Sequence, residues 1–94
     1  MKLKIPDDVM FRILGGEAVL LNLASGTYFG LDDVGTRMWQ LMSEHRSTEK
    51  VIEVMLEEYE VEESLLQRDL DKLVKDLTDN GLVKLDASEA SPSE

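Results

Sequence analysis

Three short runs near the start of the chain alternate apolar and polar residues, and glycine-containing turns separate them. The runs are residues 10–14, 17–23 and 27–31. Gly15 and Gly16 suit a two-residue hairpin turn, which requires positive φ angles, and Gly26 suits a left-handed position in a second tight turn. We therefore predict a three-stranded antiparallel meander with the second run in the middle. In that run Val19, Leu21 and Leu23 share one face and Leu20 and Asn22 the other, so one face is expected to be buried.

From Asp32 onward the spacing of apolar residues changes to that of a helix. Asp32 is a good N-cap for a first helix ending near Ser43, and Ser47 or Thr48 can cap a second. The apolar stripe of the first helix is Val34, Met38, Leu41 and Met42. The expected core face of the second helix is Val51, Ile52, Met55, Leu56 and Tyr59.

The third helix, about residues 62–80, has the clearest periodicity in the chain. Leu66, Leu70, Leu73 and Leu77 repeat at helical spacing and define its expected buried centre. Asn80 fits the C-cap, Gly81 the left-handed position after it, and Leu82 the position that packs back on the helix. Residues 82–85 form a short extended piece in this prediction, and residues 86–94 have the composition of a disordered acidic tail. The prediction is one α+β domain over residues 1–85, with the three-stranded N-terminal sheet followed by three helices.

The third predicted strand lacks the lysine, proline or charge that usually protects a sheet edge. Gly30, inside this strand, packs nothing itself but lets another backbone approach closely. One interpretation is that Gly30 only eases the bend into the first helix. The other is that the edge accepts an extended peptide as a fourth strand.

A helical wheel places Leu65, Asp69, Lys72 and Asp76 along one flank of the third helix, with Glu62 at its margin. This flank begins apolar and continues with charges of both signs, as the rim of a groove beside the open strand would. A solvated helix face is the simpler explanation of such a row. The residues alone leave both explanations open.

The composition of the chain excludes several kinds of catalytic and metal site. The 94 residues contain no cysteine and one histidine, His45, which excludes disulfides and thiolate sites and argues against a histidine-based zinc site or triad. The paired carboxylates at 32–33, 57–58 and 62–63 point about 100° apart on a helix, so they do not converge on one substrate atom. We expect no enzyme activity, no metal and no cofactor. No apolar run suits a membrane span or a secretory signal, so we expect a cytoplasmic protein.

Twenty acids against ten bases give a net charge of −10, which repels a nucleic-acid backbone. The second and third helices resemble a helix-turn-helix, but residues 49–79 carry eleven acids and four bases. We therefore expect no nucleic-acid partner. The acidity favours a partner with a basic surface, and composition does not identify that partner.

Two segments together, "LLNLASGTYFGLDDVGTRMWQLM" and "EKVIEVMLEEYEVEESLLQRDLDKLVKDLTDNGLVKL", resemble the PqqD-like family, also called the RiPP recognition element. The likeness spans roughly residues 5–85 and is strongest to the stand-alone leader-binding proteins of lasso-peptide clusters. Asp32 or Asp33 stands where the family often has asparagine. The resemblance implies a winged helix-turn-helix-like domain that binds the leader of a ribosomally made precursor peptide between the third strand and the third helix.

The resemblance also implies which positions touch the leader and which partners follow. The implied peptide-binding residues are Thr27, Tyr28, Phe29, Gly30, Leu31, Leu65, Asp69, Lys72, Leu73 and Asp76. An aromatic residue and a proline in the leader would be its anchors, and a leader peptidase or another maturation enzyme would receive it. Two alternatives stay open: a homodimer formed through the same strand edge, and a PqqD-type chaperone for a radical enzyme.

Overall fold

The computed structural model describes residues 1–85, so the predicted tail at 86–94 lies outside the described residues. In chain order the elements are β1 (Leu3–Lys4), β2 (Val9–Leu14), β3 (Glu17–Asn22), β4 (Thr27–Gly30), α1 (Asp33–His45), α2 (Thr48–Glu58), α3 (Glu63–Asp79) and β5 (Lys84–Leu85). The α+β prediction is confirmed, and a winged helix-turn-helix-like description is compatible with this order. No helix within this part of the chain is long and apolar enough to cross a membrane.

The predicted meander is present, with β3 between β2 and β4 and both pairings antiparallel. Gly15 and Gly16 have φ angles of 59° and 86°, as a two-residue hairpin turn with two left-handed residues requires. Gly26, at φ 75°, ends the second turn. The three turn glycines therefore have the backbone conformation that the sequence predicted.

The helices begin at the predicted caps. The Asp32 side chain accepts a hydrogen bond from the Gly35 N–H at 2.8 Å, and Ser47 is the cap of α2. At the end of α3 the Leu82 N–H donates to Leu77 O at 2.9 Å and the Gly81 N–H to Thr78 O at 3.1 Å. These two bonds form a Schellman motif, which explains the left-handed Gly81.

The helices cover one face of the sheet and form a single core with it. Trp39, Leu20, Leu70 and Leu77 are among its fully buried side chains. Trp39, which lies off the apolar stripe of α1, packs inside the core and meets the Phe11 ring edge to face, with 5.4 Å between ring centroids. An ion pair between Arg37 and Glu58 links α1 to the end of α2, and the hydrogen bond from Arg37 lowers the pKa of Glu58.

One face of β3 is buried, as predicted, and it carries Ala18, Leu20 and Asn22, whose side chains point toward the helices. Other buried positions differ from those predicted. In α3 Val74 replaces Leu73 in the core, and Leu73 is only half-buried. Val34 and Tyr59, both assigned to core stripes, are exposed. Periodicity identifies a stripe but does not fix its centre to within one position.

The sequence analysis predicted the extended piece after α3 but not β1, the strand with which it pairs. Leu3 pairs with Leu85 and Lys4 with Lys84, so the extended piece after α3 becomes a two-stranded antiparallel ribbon with the start of the chain. Leu3 is buried, and its N–H donates to Arg46 O at 2.9 Å. The ribbon therefore connects the two ends of residues 1–85 across the α1–α2 junction.

Gly81→Ala should destabilise the domain more than Gly26→Ala. Both glycines have a left-handed φ, which costs a residue with a Cβ about 1–2 kcal/mol. A Cβ at Gly26 has nothing within 4 Å, whereas one at Gly81 would lie 2.6 Å from the Asn22 side-chain nitrogen. Urea unfolding of both variants measures the difference, and equal losses would show that the contact with Asn22 carries no cost.

Candidate functional site

The outer edge of β4 is unpaired in the sheet, because β4 follows β3 at the end of the strand order. The Leu31 N–H donates to Ala18 O at 2.8 Å. Hydrogen-bonding direction alternates along an antiparallel strand, so Thr27 and Phe29 also direct their main-chain groups toward β3. Tyr28 and Gly30 direct theirs away from the sheet. Two residues of β4 therefore present N–H and C=O groups that an added strand could pair with.

A groove of about 460 Å³ lies beside this edge, between β4, the start of α1 and one flank of α3. We call it the edge groove. Seven of the ten residues predicted to bind a peptide line it: Phe29, Gly30, Leu31, Asp69, Lys72, Leu73 and Asp76. The structure therefore places the predicted flank of α3 toward the groove, and this flank is not simply a solvated helix face. The cavity is within the size range of small-ligand and side-chain pockets.

The other three predicted residues lie outside the groove lining. Thr27 begins β4 and pairs with Asn22, and the Tyr28 side chain is 70 % exposed. Leu65 lies one helical turn before Asp69 on the same flank and is 48 % exposed. It would meet a peptide only if that peptide continued past the groove toward the start of α3.

The start of α1 supplies groove residues that the sequence analysis missed: Asp32, Val34, Gly35 and Met38. The sequence held a signal for Asp32, because this residue directly follows the third predicted strand and must lie where that strand ends. Val34 and Met38 had been assigned to the core stripe of α1. Met38 is buried, whereas Val34 is 43 % exposed and contributes an apolar side chain to the wall.

Nothing inside the domain requires glycine at position 30. Its φ is not in the left-handed region, and a Cβ built there has no atom within 4 Å. A role in easing the bend into α1 would need a special backbone angle or a close internal contact, and neither is present. A Cβ there would point to the sheet face that Val19 occupies, while the Gly30 backbone lies on the unpaired edge beside the groove.

The buried side chain of Asn22 bridges two of the elements that flank the edge groove. Its amide nitrogen lies 3.1 Å from Asn80 O and 3.3 Å from Gly81 O, to which it donates. Its oxygen accepts from the N–H groups of Ala24 at 2.9 Å and Ser25 at 3.3 Å. Asn22 therefore ties the turn before β4 to the end of α3. The sequence analysis assigned it no role.

The walls of the groove are acidic. Asp32 stands on one side, Asp69 and Asp76 stand on the other, and Lys72 is the single cation among them. Within residues 1–85 none of the four forms an ion pair. Phe29, Leu31, Met38 and Leu73 also line the groove, and we call these apolar side chains the groove floor. The site therefore combines apolar side chains with three carboxylates. Residues 1–85 contain no cluster of three acidic or histidine side chains placed to hold a metal ion.

The sheet face turned away from the helices is apolar but uncovered. Register places Met10 beside Leu21, Arg12 beside Val19, and Leu21 beside Tyr28, all opposite the buried side of β3. We call this surface the outer face. Met10, Leu14, Val19 and Tyr28 are exposed large hydrophobic residues on or beside it. A solvent-facing sheet surface is usually polar, so an apolar one indicates a contact surface.

Comparison with known proteins identifies the family. The model of the family described as coenzyme PQQ synthesis protein D (PqqD) matches residues 17–83. The match spans more than half of the chain, so the chain belongs to the PqqD family, and the resemblance is confirmed. No curated protein matches the chain significantly.

Two solved structures are similar over most of their length. TbiB1 in complex with the TbiA(beta) leader peptide is 38 % identical, with a TM-score of 0.81, over 86 % of this chain and 94 % of that one. Lasso peptide synthetase B1 complexed with the leader peptide is 27 % identical, with a TM-score of 0.78, over 89 % of this chain and 99 % of that one.

Asn22→Asp should loosen the end of the edge groove. The carboxylate can still accept from the turn, but it cannot donate to the carbonyls of Asn80 and Gly81, and it adds a partly buried charge. We expect a loss of about 2 kcal/mol in the free energy of unfolding and faster amide exchange in β4 and the last turn of α3. Asn80→Asp is the matched control, because the Asn80 amide bonds only to Asp76 of its own helix. Equal effects of the two substitutions would contradict this role for Asn22.

Proposed function

We propose that this member of the PqqD family binds the leader segment of a ribosomally made precursor peptide. In this proposal the leader adds to the edge of β4 as a fourth strand and lies in the edge groove against α3. The observation that carries it is an unpaired strand edge directly beside a groove. The two leader-peptide complexes of similar structures support it.

Main-chain pairing at Tyr28 and Gly30 would supply affinity that depends little on the leader sequence. Selectivity would come from the groove floor, where Phe29, Leu31 and Leu73 can accept an apolar anchor such as an aromatic residue or a proline. Asn22 would hold the two walls at a fixed distance before the peptide arrives, which lowers the cost of ordering the site. The domain performs no chemical step in this proposal.

The outer face would receive the maturation enzyme, most simply the leader protease of a lasso-peptide pathway. Side chains on this face point away from those that line the groove, so leader and enzyme could bind together. Arg12 lies among apolar residues and has no ion pair within residues 1–85. The expected partner surface is therefore apolar with a carboxylate that meets Arg12. Bringing leader and enzyme together raises their effective concentration.

Gly30→Pro should weaken leader binding while the domain stays folded. Proline removes the N–H that Gly30 directs away from the sheet but no bond between β4 and β3. Gly30→Ala is the control, because it keeps that N–H and a Cβ has open space there. Fluorescence polarisation with the labelled TbiA(beta) leader should show at least a tenfold loss for proline and less than threefold for alanine.

A second measurement changes the peptide instead of the protein, so that a folding defect of the variant cannot explain the result. In the peptide, N-methylation of the backbone should weaken binding at every second residue of the paired segment, since only alternate N–H groups face β4. Strand addition would be contradicted by two results together: Gly30→Pro binds the leader as tightly as the wild type, and N-methylation has no effect that recurs at every second residue. If the protein is a dimer that the leader dissociates into monomers, the same edge also pairs with a second copy.

Leu14→Lys and Val19→Lys should leave leader binding unchanged but slow leader removal. Both residues are exposed on the outer face, so the fold tolerates the change, whereas a lysine there would oppose an apolar contact. The measurement is precursor cleavage by a leader peptidase of the same pathway, with the leader affinity determined in parallel. Lys50→Ala, at an exposed position of α2, serves as the surface control. Unchanged cleavage by both outer-face variants would place the enzyme elsewhere.

A further inference from the structure

We propose that the edge groove selects leaders whose segment along α3 carries basic side chains, and that it rejects acidic ones. This inference rests on the proposed function and adds a substrate class to it. The groove is the binding site in this account. The carboxylates on its walls decide which charge the bound peptide can carry.

The first argument is the arrangement of charge around the cavity. Asp69 and Asp76 are seven residues apart, so along the helix axis they are separated by two turns, roughly 10.5 Å. Lys72 lies between them on the same flank, and Asp32 stands on the opposite wall. A cationic side chain entering the groove would have carboxylates on both sides. In an extended peptide, basic residues two to four positions apart would span Asp69 and Asp76.

The second argument is that the two groove carboxylates of α3, Asp69 and Asp76, form no ion pair, whereas the acidic side chains on the other side of the same helix have partners. On that side Lys75 pairs with Asp79 at 3.0 Å, and the Gln67 amide donates to Asp71 at 2.8 Å. Neither Asp69 nor Asp76 forms an ion pair with Lys72, although both lie within one helical turn of it. The acids of the groove therefore remain available to a ligand.

The third argument concerns which molecule carries the basic charge. An acidic chain could recognise a basic peptide or a basic patch on the partner enzyme. The outer face, where a partner enzyme would dock, carries Arg12 at its centre and Glu17 at its hairpin end. That surface has one basic and one acidic side chain, so its charge does not favour a basic partner. The groove, in contrast, has three carboxylates against the single cation Lys72 in its lining, beside the apolar groove floor, where a bound peptide would be partly shielded from salt.

The test is a charge scan of a peptide of known class. Each residue of the TbiA(beta) leader is replaced in turn by lysine and by glutamate, and affinity is measured by fluorescence polarisation at about 20 mM salt. At the positions that face α3 we expect lysine to bind about 5- to 20-fold tighter than glutamate. The ratio should fall below about threefold at 500 mM salt, because screening shortens the reach of the carboxylates.

Protein variants identify the responsible groups. Asp69→Asn with Asp76→Asn should reduce the preference for lysine to within about twofold and leave the affinity of neutral positions unchanged. Asp71→Asn is the matched control, because it removes the same charge from the same helix on the side away from the groove. It should keep the preference. Asparagine at these exposed or half-exposed positions preserves side-chain shape, and circular dichroism confirms folding.

The outcomes separate the two proposals. Three outcomes would overturn the charge selection but leave leader binding intact. The leader could bind with no preference for lysine, or it could prefer glutamate in a way that Lys72→Gln abolishes. It could also prefer lysine but lose that preference equally in Asp71→Asn. Absence of binding by the unmodified leader and by every scanned peptide would contradict the proposed function, and this inference with it.

Discussion

The four hydrogen bonds of the buried Asn22 amide join parts of the chain that are about 60 residues apart in sequence. The nitrogen bonds to the last carbonyls of α3 and the oxygen to the turn that begins β4. An unpaired amide in this position would cost more than the bonds contribute, so turn and helix end are held together. This contact fixes the turn before β4 against the end of α3, the two elements that flank the edge groove. Gly81 fits the same arrangement, because any side chain there would displace the amide.

The three-stranded sheet presents three different surfaces. Its inner face forms the core with the helices, its β4 edge offers free main-chain groups beside the groove, and its outer face is apolar and uncovered. A domain of this size has little interior to spare for a deep cleft. Binding surfaces can instead be placed at an edge and on a face, where backbone geometry positions them and few side chains need to be ordered. Two partners could then use one sheet without competing.

The local elements were predictable because their signals are local. Asp32 and Ser47 cap helices through hydrogen bonds that span three residues, and Gly15, Gly16, Gly26 and Gly81 have backbone angles that other residues avoid. The predicted flank of α3 does line the groove, since a helical wheel requires only the 3.6-residue period. The choice of Leu73 over Val74 for the core was wrong by one position. That choice depends on how far α3 rotates against its neighbours, which hydrophobicity alone does not encode.

By itself, the sequence determined the order and type of the main elements, the open edge, the acidic balance and the family, because each rests on neighbouring residues or on whole-chain composition. Tertiary structure alone decided which side of β3 is buried, that Leu3 pairs with Leu85, that Asp32 and Val34 join the groove, and that Asn22 ties the turn before β4 to the end of α3. These features involve residues far apart in sequence. They follow from how the helices pack on the sheet, and no periodic pattern records that packing.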